Sequence, residues 1–448
     1  MTTSADRFSF LPGRSVPLDV ASGDGCYLIE RSGRRVLDAA GGAIVVNVGH
    51  GRADLAAAFS EAAAETGYVV PTFATDARLR LVDRLRSRWL PPCEGDWFIA
   101  FGSGGSEAMD MALRLARQHH LSAGRPERWK ILGRELSYHG ATLATLAVGG
   151  HLSRRKSFEP LMIDRLASLP RAPATYCLRC PPEKDCASCG EEFADAVAET
   201  FEKAGPETVA AFVLEPIVGS NAGAIVPPDD YLPRVAEICR HHGVLLISDE
   251  VMTGFGRTGT RFGVDHWDVV PDILVGGKGL TSGYAPLAAV CAQERVVEPM
   301  AQQGDGLMFY TYGAHSGCCA VADKALEVLE AEELLARVPT AGSQLERRLR
   351  EELGDHPHVA DIRGRGLLWG VELVRDRDTL ESFSMDSHLI DRFVAEGLRR
   401  DVFFYPGGNG PARHVVCLGP PFVVGDEEIE TIVGVFREAL DAAVAGLS

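Results

Sequence analysis

The chain of 448 residues has the composition of a globular protein that can bury a large core. Hydrophobic residues make up 46% and charged residues 24% of it, both near the averages for globular proteins, and the length predicts more than one structural domain. The formal net charge of −17 argues against nucleic acid or an anionic membrane as a partner, because both would be repelled.

The N-terminal region and the cysteines predict a cytoplasmic protein. Residues 1–20 contain no apolar stretch long enough for a secretory signal, and no run reaches the roughly 18 apolar residues of a membrane helix. The eleven cysteines occur in a chain that is long enough to fold without disulfides. Reduced thiols in the cytoplasm are therefore the simpler expectation.

The predicted elements begin with short strands and continue as an alternation of strands and helices. Residues 16–40 predict short strands with turns at 22–25 and 32–33. Helical patterns follow at 106–117 and 231–241, between near-continuous apolar runs. These runs, the predicted strands, are residues 97–101, 210–214, 244–247, 273–275 and 287–292. Such an alternation is typical of a mainly parallel sheet with helices on both faces.

The pattern changes after residue 324, which defines the predicted domains. A charged helix at 343–353 precedes a strand-like segment at 364–374. We therefore predict an α/β protein whose large domain comprises residues 61–330. The N-terminal segment 1–60 and the C-terminal segment 331–448 are expected to form a smaller α+β domain together.

Three ionisable residues stand where predicted strands end. They are Glu215, Asp249 and Lys278, and open parallel sheets bind ligands beyond the carboxyl ends of their strands. Lys278 lies between two glycines, which let a flat ligand approach the backbone, and partial desolvation would make its amine nucleophilic. The ordinary alternatives are an exposed turn lysine and, for Asp249, a helix cap. A carboxylate at Asp249 can otherwise keep a pyridine nitrogen protonated.

A glycine-rich turn predicts a phosphate site. The strand at 97–101 leads into the segment 102–107 (GSGGSE) and then into a helix. The glycines permit close approach, Ser106 can cap the helix, and the helix N-terminus attracts a phosphate. Taken alone, such a turn is a weak signal.

Together these elements resemble the class III aminotransferases. The run at 249–259 (DEVMTGFGRTG), followed about 20 residues later by Lys278, closely resembles the family signature. Further matching elements are Gly49-His50, Gly105 to Glu107, Tyr138-His139-Gly140, Glu215-Pro216 and Pro420-Pro421-Phe422. The resemblance covers nearly the whole chain. It implies the PLP-dependent transferase fold type I, pyridoxal 5′-phosphate (PLP) as cofactor, and a homodimer with active sites at the subunit interface.

The resemblance also assigns roles to single residues. Lys278 corresponds to the Schiff-base lysine that shuttles the proton, and Asp249 to the partner of the pyridine nitrogen. Val251 and Tyr138 correspond to the residues on the two ring faces, and Glu215 to a supporting residue near Asp249. The implied cofactor site comprises Gly105, Ser106, Tyr138, His139, Glu215, Asp249, Val251 and Lys278, with Tyr310 and Thr311 reaching the phosphate of the neighbouring subunit.

Departures from the family pattern bear on the substrate. Ser220 and Cys417 occupy positions where the 2-oxoglutarate branch carries a paired glutamate and arginine, which favours pyruvate together with ω-amino acids or amines. Arg413 is the candidate for binding a substrate carboxylate, with an exposed loop arginine as the alternative. Ile44 lies where amine-transferring relatives often have a tryptophan, so it is a further candidate for the substrate pocket. Gly104 replaces a serine of the phosphate turn.

The predicted reaction is transamination through pyridoxamine phosphate in a ping-pong mechanism. An aminomutase, a racemase or a decarboxylase on the same scaffold remains the alternative, because fold and cofactor do not decide among them. A non-catalytic PLP-binding protein is a further alternative, but it would need neither Lys278 nor Asp249.

Four cysteines lie together on a proline-rich, charged segment. Cys177 and Cys180 form one C-x-x-C pair, and Cys186 and Cys189 form a second after a gap of five residues. Paired motifs of this kind can hold a structural zinc ion, although the gap is shorter than in most zinc ribbons. Zinc and thiols without a metal both remain open, and no metal is expected in the reaction.

Overall fold

A computed structural model describes residues 18–162, 165, 168–180 and 189–447. The strands are β1 (Val20–Asp24), β2 (Tyr27–Glu30), β3 (Arg35–Asp38), β4 (Trp97–Gly102), β5 (Lys130–Arg134), β6 (Arg171–Ala172), β7 (Val209–Leu214), β8 (Leu245–Glu250), β9 (Ile273–Gly276), β10 (Ala288–Gln293), β11 (Val359–Arg365), β12 (Leu368–Leu373), β13 (Val402–Phe403), β14 (Tyr405–Asn409) and β15 (Ala412–Leu418).

The α-helices are α1 (Gly41–Ile44), α2 (Ala53–Thr66), α3 (Asp76–Arg84), α4 (Gly105–Ser122), α5 (Leu143–Val148), α6 (Leu152–Lys156), α7 (Cys189–Ala204), α8 (Tyr231–His242), α9 (Glu294–Gln303), α10 (Ser316–Ala331), α11 (Leu334–Leu353), α12 (Leu389–Arg399) and α13 (Asp426–Val444). Short 3₁₀ helices are Glu159–Leu161, Cys177–Arg179, Pro206–Thr208, Gly263–Trp267, Lys278–Leu280 and Met385–Ser387, and Leu85–Trp89 forms a π-helical turn. None of the described helices is both long and apolar enough to cross a membrane.

Within the described residues, the largest sheet has seven strands in the order β4-β10-β9-β8-β7-β5-β6. The pairs from β9 through β8, β7 and β5 to β6 are parallel, whereas β10 is antiparallel to both of its neighbours. The predicted mainly parallel sheet is therefore confirmed. Both faces of its central strands are covered, so all residues of β7 are apolar and buried, and all residues of β8 are buried although it ends in polar residues.

Helices cover both faces of this sheet. On one face, Val213 of β7 and Ile247 of β8 share a hydrophobic cluster with Met109 of α4. On the other face, Phe212 packs against Phe201 of α7, with ring centres 5.7 Å apart. Successive residues of one strand thus reach helices on opposite faces, as the strand period of two requires.

One of the two remaining sheets combines both ends of the chain, and the other is formed by the C-terminal segment alone. β1, β2 and β3 form a sheet with β13, in which Leu37 pairs with Val402. A second sheet has the antiparallel order β11-β12-β15-β14. The domain boundaries expected from the sequence stay a prediction.

One predicted strand is two strands in the structure. Residues 364–374 were expected to form a single strand, but β11 and β12 form a hairpin around Gly366. Gly366 has a φ of +57°, and a Cβ at this position would lie 2.4 Å from the carbonyl carbon of Thr258. Only glycine fits this turn. The turn was not predicted because the residues after Gly366 form an apolar run typical of a strand.

Candidate active site

Asp249 and His139 form a buried pair at the end of the central sheet. Asp249 is the fifth residue of β8, and its Oδ2 lies 2.8 Å from Nδ1 of His139. Its Oδ1 accepts a hydrogen bond of 3.1 Å from the N–H of Val251. The side chains of the pair are 6% and 0% exposed, so the carboxylate is held in one orientation by two donors. His139 Nε2 is buried without a hydrogen-bond partner among the described residues.

Lys278 begins the short 3₁₀ helix that follows β9. Its φ of +42° is in the left-handed region that side chains other than glycine rarely adopt, a conformation typical of functional sites. Burial lowers the pKa of Lys278 to about 8, while the negative charges of Asp249 and Glu215 act in the opposite direction. At pH 7 about a tenth of the amine is therefore neutral and nucleophilic, far more than for a lysine of ordinary pKa.

Glu215 supports the loop that carries Tyr138. Its two carboxylate oxygens accept hydrogen bonds from the N–H of Tyr138 at 3.2 Å and from that of Gly219 at 3.0 Å. Burial raises the pKa of Glu215; the charge of His139 lowers it, whereas that of Asp249 raises it further. The guanidinium of Arg134, at the end of β5, donates to the Glu215 carbonyl. No motif in the sequence indicated Arg134, although a buried charged residue at a strand end is a signal of this kind.

The glycine-rich turn leads into α4 as predicted, but its cap differs. Gly104, and not Ser106, precedes the helix, and it supplies no capping side chain. The Oγ of Ser106 instead accepts a hydrogen bond of 3.1 Å from the N–H of Ala141. A Cβ on Gly105 would lie 3.0 Å from Val251, so this glycine permits the close approach of the helix start to the end of β8. The N–H groups of the first turn of α4 remain available to an anion.

A cavity of about 320 Å³ joins these groups. The residues predicted for the site that line it are Gly105, Ser106, Tyr138, His139, Glu215, Asp249, Val251 and Lys278. No motif indicated Asn221, which is buried in the cavity wall and donates a hydrogen bond of 3.1 Å to the Ser137 carbonyl. A second cavity of about 350 Å³ shares Tyr138, Ser220 and Asn221 with the first and is also lined by Arg154.

Four predicted site residues do not line either cavity. Ile44 is buried with a φ of +58°, and the cavity wall is formed by Val45 beside it. Arg413 is exposed on β15. Tyr310 is half-buried and Thr311 is exposed, as a segment that reaches a neighbouring subunit would be. Of the four cysteines, Cys177, Cys180 and Cys189 lie close together, and Cys186 lies outside the described residues.

Comparisons with known proteins identify the family. The family model "Aminotransferase class-III" matches residues 11–440. The chain belongs to the class III aminotransferases. It is 37% identical over 423 residues to the uncharacterized aminotransferase YhxA of Bacillus subtilis, covering 93% of this chain and 90% of that protein. It is 32% identical over 438 residues to the putrescine–pyruvate aminotransferase of Pseudomonas aeruginosa, covering 96% and 91% of the two chains.

A solved structure agrees with this assignment. The (S)-enantioselective omega-transaminase of Thermomicrobium roseum superimposes with a TM-score of 0.90 at 32% identity, covering 99% of this chain and 97% of that one. The predicted fold and the prediction of an aminotransferase are therefore confirmed. Class III aminotransferases depend on PLP, so this aminotransferase is a PLP enzyme.

The residues of the cavity fit this cofactor. PLP presents a phosphate, an aldehyde carbon and a pyridine nitrogen. A helix N-terminus, a lysine of lowered pKa and an oriented carboxylate, all lining one cavity, match these groups in turn. The fit rests on the chemistry of the groups in the cavity, and it agrees with the family assignment.

Proposed function

We propose that this aminotransferase moves an amino group from an ω-amino acid or an amine to pyruvate. The transfer takes place in two half-reactions, in which the donor and the acceptor bind in turn to the same site. The observation behind this proposal is that two residues beside the cavity, Ser220 and Cys417, carry no charge. A Cβ on Gly407 would lie 2.6 Å from the Ser220 carbonyl oxygen and 2.7 Å from Cys417 Sγ, so these two residues flank the same glycine. Burial raises the pKa of Cys417 to about 12, which keeps its thiol uncharged.

The absence of charge there disfavours 2-oxoglutarate. Its second carboxylate needs a cationic partner in a cavity that excludes water. Among the described residues that line the two cavities, Arg154 of the second cavity is the one arginine, so one of the two carboxylates of 2-oxoglutarate would lack such a partner. Pyruvate has a single carboxylate, which one arginine can bind. The name of the relative from Pseudomonas aeruginosa also pairs an amine with pyruvate.

We assign the carboxylate of an ω-amino acid to Arg154 rather than to Arg413. The guanidinium of Arg154 lies 4.9 Å from the centre of the Tyr138 ring and lines the second cavity. Because Tyr138 borders both cavities, a substrate whose amine reaches Lys278 extends toward Arg154. Both arginines are exposed, but Arg413, on β15, lines neither cavity.

The chain's own residues account for the proton movements. When bound, PLP supplies an electron sink for the bonds at the substrate Cα. Lys278 would hold the cofactor through Nζ, and its released amine would move a proton from the amine-bearing carbon of the substrate to the cofactor carbon that had held the lysine. Asp249, oriented by His139, would keep the ring nitrogen protonated. Tyr138 and Val251 would pack on the two ring faces and exclude water from the reacting atoms.

The acceptor is tested with the holoenzyme and putrescine as donor. Alanine formation from pyruvate is compared with glutamate formation from 2-oxoglutarate. We expect kcat/KM for pyruvate to be higher by about tenfold or more, since a missing charged hydrogen bond costs about 1.5–3 kcal/mol. Equal values would overturn the choice of acceptor, and product formation without any keto acid would favour the mutase, racemase or decarboxylase alternatives. Lys278→Ala is the inactive control.

The same assay tests Arg154 when the donor is varied. Arg154→Met is expected to raise KM for β-alanine and to leave KM for putrescine unchanged, because putrescine has no carboxylate. Arg413→Met is the matched control and should change neither value. A rise in KM with Arg413→Met, and not with Arg154→Met, would restore Arg413 as the substrate ligand.

We also propose that the aminotransferase is a homodimer whose active sites are completed across the interface. Tyr68, Phe73, Met308, Phe309 and Tyr312 form exposed apolar surface, with Met308 79% and Tyr312 65% exposed. The rings of Tyr68 and Tyr312 are 6.1 Å apart, so the two segments make one patch. Exposed patches of this kind mark interaction sites, and this one adjoins the segment with Tyr310 and Thr311, which the family places in the neighbouring subunit's site.

A further inference from the structure

Three cysteines outside the active site converge on one point. The Sγ atoms of Cys177, Cys180 and Cys189 all lie within 4.8 Å of one another. Cys177 and Cys180 are half-buried and Cys189 is buried. A tetrahedral zinc ion with Zn–S bonds of about 2.3 Å places its sulfur ligands about 3.8 Å apart. The three thiols therefore need to move little to become the ligands of a single ion.

Local structure positions the first two thiols. Cys177 begins a 3₁₀ helix, and the N–H of Cys180 donates a hydrogen bond of 2.9 Å to the Cys177 carbonyl. The turn is anchored on both sides, because the hydroxyl of Tyr176 donates to Glu372 at 2.6 Å and Arg179 donates to the Leu380 carbonyl at 2.8 Å. The C-x-x-C pair is thus presented by a turn that protein contacts already hold.

The third thiol is fixed by the start of α7. Cys189 is the first residue of that helix. A Cβ on Gly190 would lie 1.8 Å from Oδ1 of Asp230, so glycine lets α7 approach the residue before α8 without displacing that side chain. Cys189 and Gly190 are both buried, which limits how far the helix start can move away from the other two cysteines.

We propose that Cys177, Cys180 and Cys189 are ligands of a structural zinc ion. Soft thiolate ligands in a tetrahedral arrangement select zinc or an iron–sulfur cluster, and C-x-x-C with a further cysteine close in sequence is a zinc pattern. A disulfide between any two of the three would leave the third thiol beside it. The proposal rests on these three described cysteines alone, and the fourth position of the ion is left to another ligand.

The contacts around this zinc site indicate what the ion would stabilise. Glu372, which holds Tyr176, lies on β12 and also binds Arg363 at 2.9 Å. The guanidinium of Arg363 donates to the carbonyls of Ala222 at 2.6 Å and Gly223 at 2.7 Å, directly after Ser220 and Asn221 of the cavity wall. The ion would tie α7 to the sheet of β11, β12, β14 and β15 and support the substrate side of the active site. This chain of contacts does not include Lys278.

The test is the metal content of the holoenzyme purified from zinc-supplemented medium without chelators. Zinc, iron and copper are measured by mass spectrometry in the wild type, Cys180→Ser and Cys93→Ser. We expect about one zinc ion per chain in the wild type and a loss of roughly tenfold or more in Cys180→Ser. Cys93, half-buried elsewhere in the chain, is the matched control, and its replacement should leave the zinc content unchanged.

A second measurement on the wild type keeps the proposal testable if Cys180→Ser does not fold. Titration with an organomercurial should release zinc to a chromogenic chelator, and a cobalt-substituted sample should show the visible bands of tetrahedral thiolate ligation. Zinc far below one per chain would overturn the proposal. So would iron in its place, or a disulfide among the three cysteines in peptide mapping. The absorption band of the lysine-bound cofactor should be the same with and without the ion, which separates this result from the proposed reaction.

Discussion

Lys278 combines a strained backbone with a desolvated amine. Its left-handed φ of +42° costs on the order of 1–3 kcal/mol, which the surrounding structure has to offset. The neighbours make that possible: a Cβ on Gly279 would lie 2.4 Å from Nδ2 of Asn47, so the turn fits only with glycine next to the lysine. Asn47 itself is held by a hydrogen bond of 2.9 Å to the Phe255 carbonyl. The turn is thus built into the core.

The lowered pKa of Lys278 predicts how cofactor uptake depends on pH. The neutral amine is the nucleophile, and its fraction falls about tenfold for each pH unit below the pKa. The rate of PLP incorporation into apoenzyme should therefore rise with pH and level off above about 8. The rate is measured by stopped-flow absorbance of the lysine-bound cofactor.

Asp249→Asn provides the matched comparison. The carboxylate favours the charged ammonium and raises the pKa of Lys278; without it, the plateau should begin at a lower pH. A wild-type rate that keeps rising to pH 10, or a plateau that moves upward in Asp249→Asn, would contradict this account of the amine.

At the residue scale, sequence reasoning found the groups that stand next to strand ends and glycine turns. Asp249 and Lys278 could be predicted because each follows an apolar run. The hydrogen bond between His139 and Asp249 spans 110 positions, and nothing local to either residue specifies it. Sequence reasoning named Arg413 and did not consider Arg154, because which side of a strand or helix faces a cavity depends on packing that the sequence does not display.

Among the elements, the five strands predicted between residues 97 and 292 agree with the structure to within three residues at their ends, whereas 364–374 corresponds to parts of two strands. The apolar run at 210–214, for example, corresponds to β7 at Val209–Leu214. Helix ends were harder: the charged pattern at 343–353 belongs to α11, which starts at Leu334. Pro339 lies inside α11 and, as a helix breaker, concealed its first turns. Long periodic segments were predictable, whereas ends set by tertiary contacts were not.

Replacement by alanine is expected to have opposite effects on protein stability at two helical glycines. Gly434 is exposed within α13, and a Cβ there would meet nothing within 4 Å. Gly434→Ala should therefore stabilise the protein by about 0.5–1 kcal/mol, because alanine loses less backbone entropy in a helix. The urea midpoint of unfolding should shift upward accordingly.

Gly397→Ala in α12 is the counterpart. A Cβ there would lie 2.7 Å from Cδ2 of Phe404 and 3.0 Å from the Val402 carbonyl oxygen, so the helix would be pushed from β13. The urea midpoint should fall. Equal shifts for the two variants would show that helix propensity alone, and not the space around each glycine, decides the outcome.

At the scale of the whole molecule, one buried arginine holds together the two segments that form the exposed apolar patch. Arg78 is 5% exposed, and its guanidinium donates hydrogen bonds to the backbone carbonyls of Val69, Val70, Phe73 and Ala314. It thereby joins the segments that carry Tyr68 and Tyr312. Because backbone carbonyls accept the hydrogen bonds of the Arg78 guanidinium, the arginine fixes these segments without a carboxylate partner. The surface above it therefore stays apolar.

A charge in this patch should dissociate the proposed dimer. In a two-fold interface every substitution occurs twice, and each unpaired carboxylate buried there costs several kcal/mol. Tyr312→Asp should raise the dimer dissociation constant by roughly a hundredfold or more, as measured by sedimentation velocity over a range of concentrations. PLP affinity should fall with it, because Tyr310 and Thr311 would no longer reach the neighbouring phosphate.

Met385→Asp separates an interface effect from a general one. Met385 is 62% exposed on the 3₁₀ helix Met385–Ser387, and replacing it adds the same charge to a different apolar site. This variant should sediment as a dimer and keep its PLP. If Tyr312→Asp also remained dimeric, the patch would not be the interface. If it became monomeric with unchanged PLP affinity, the active site would be complete within one chain, and the shared-site part of the proposal would fail while the dimer stood.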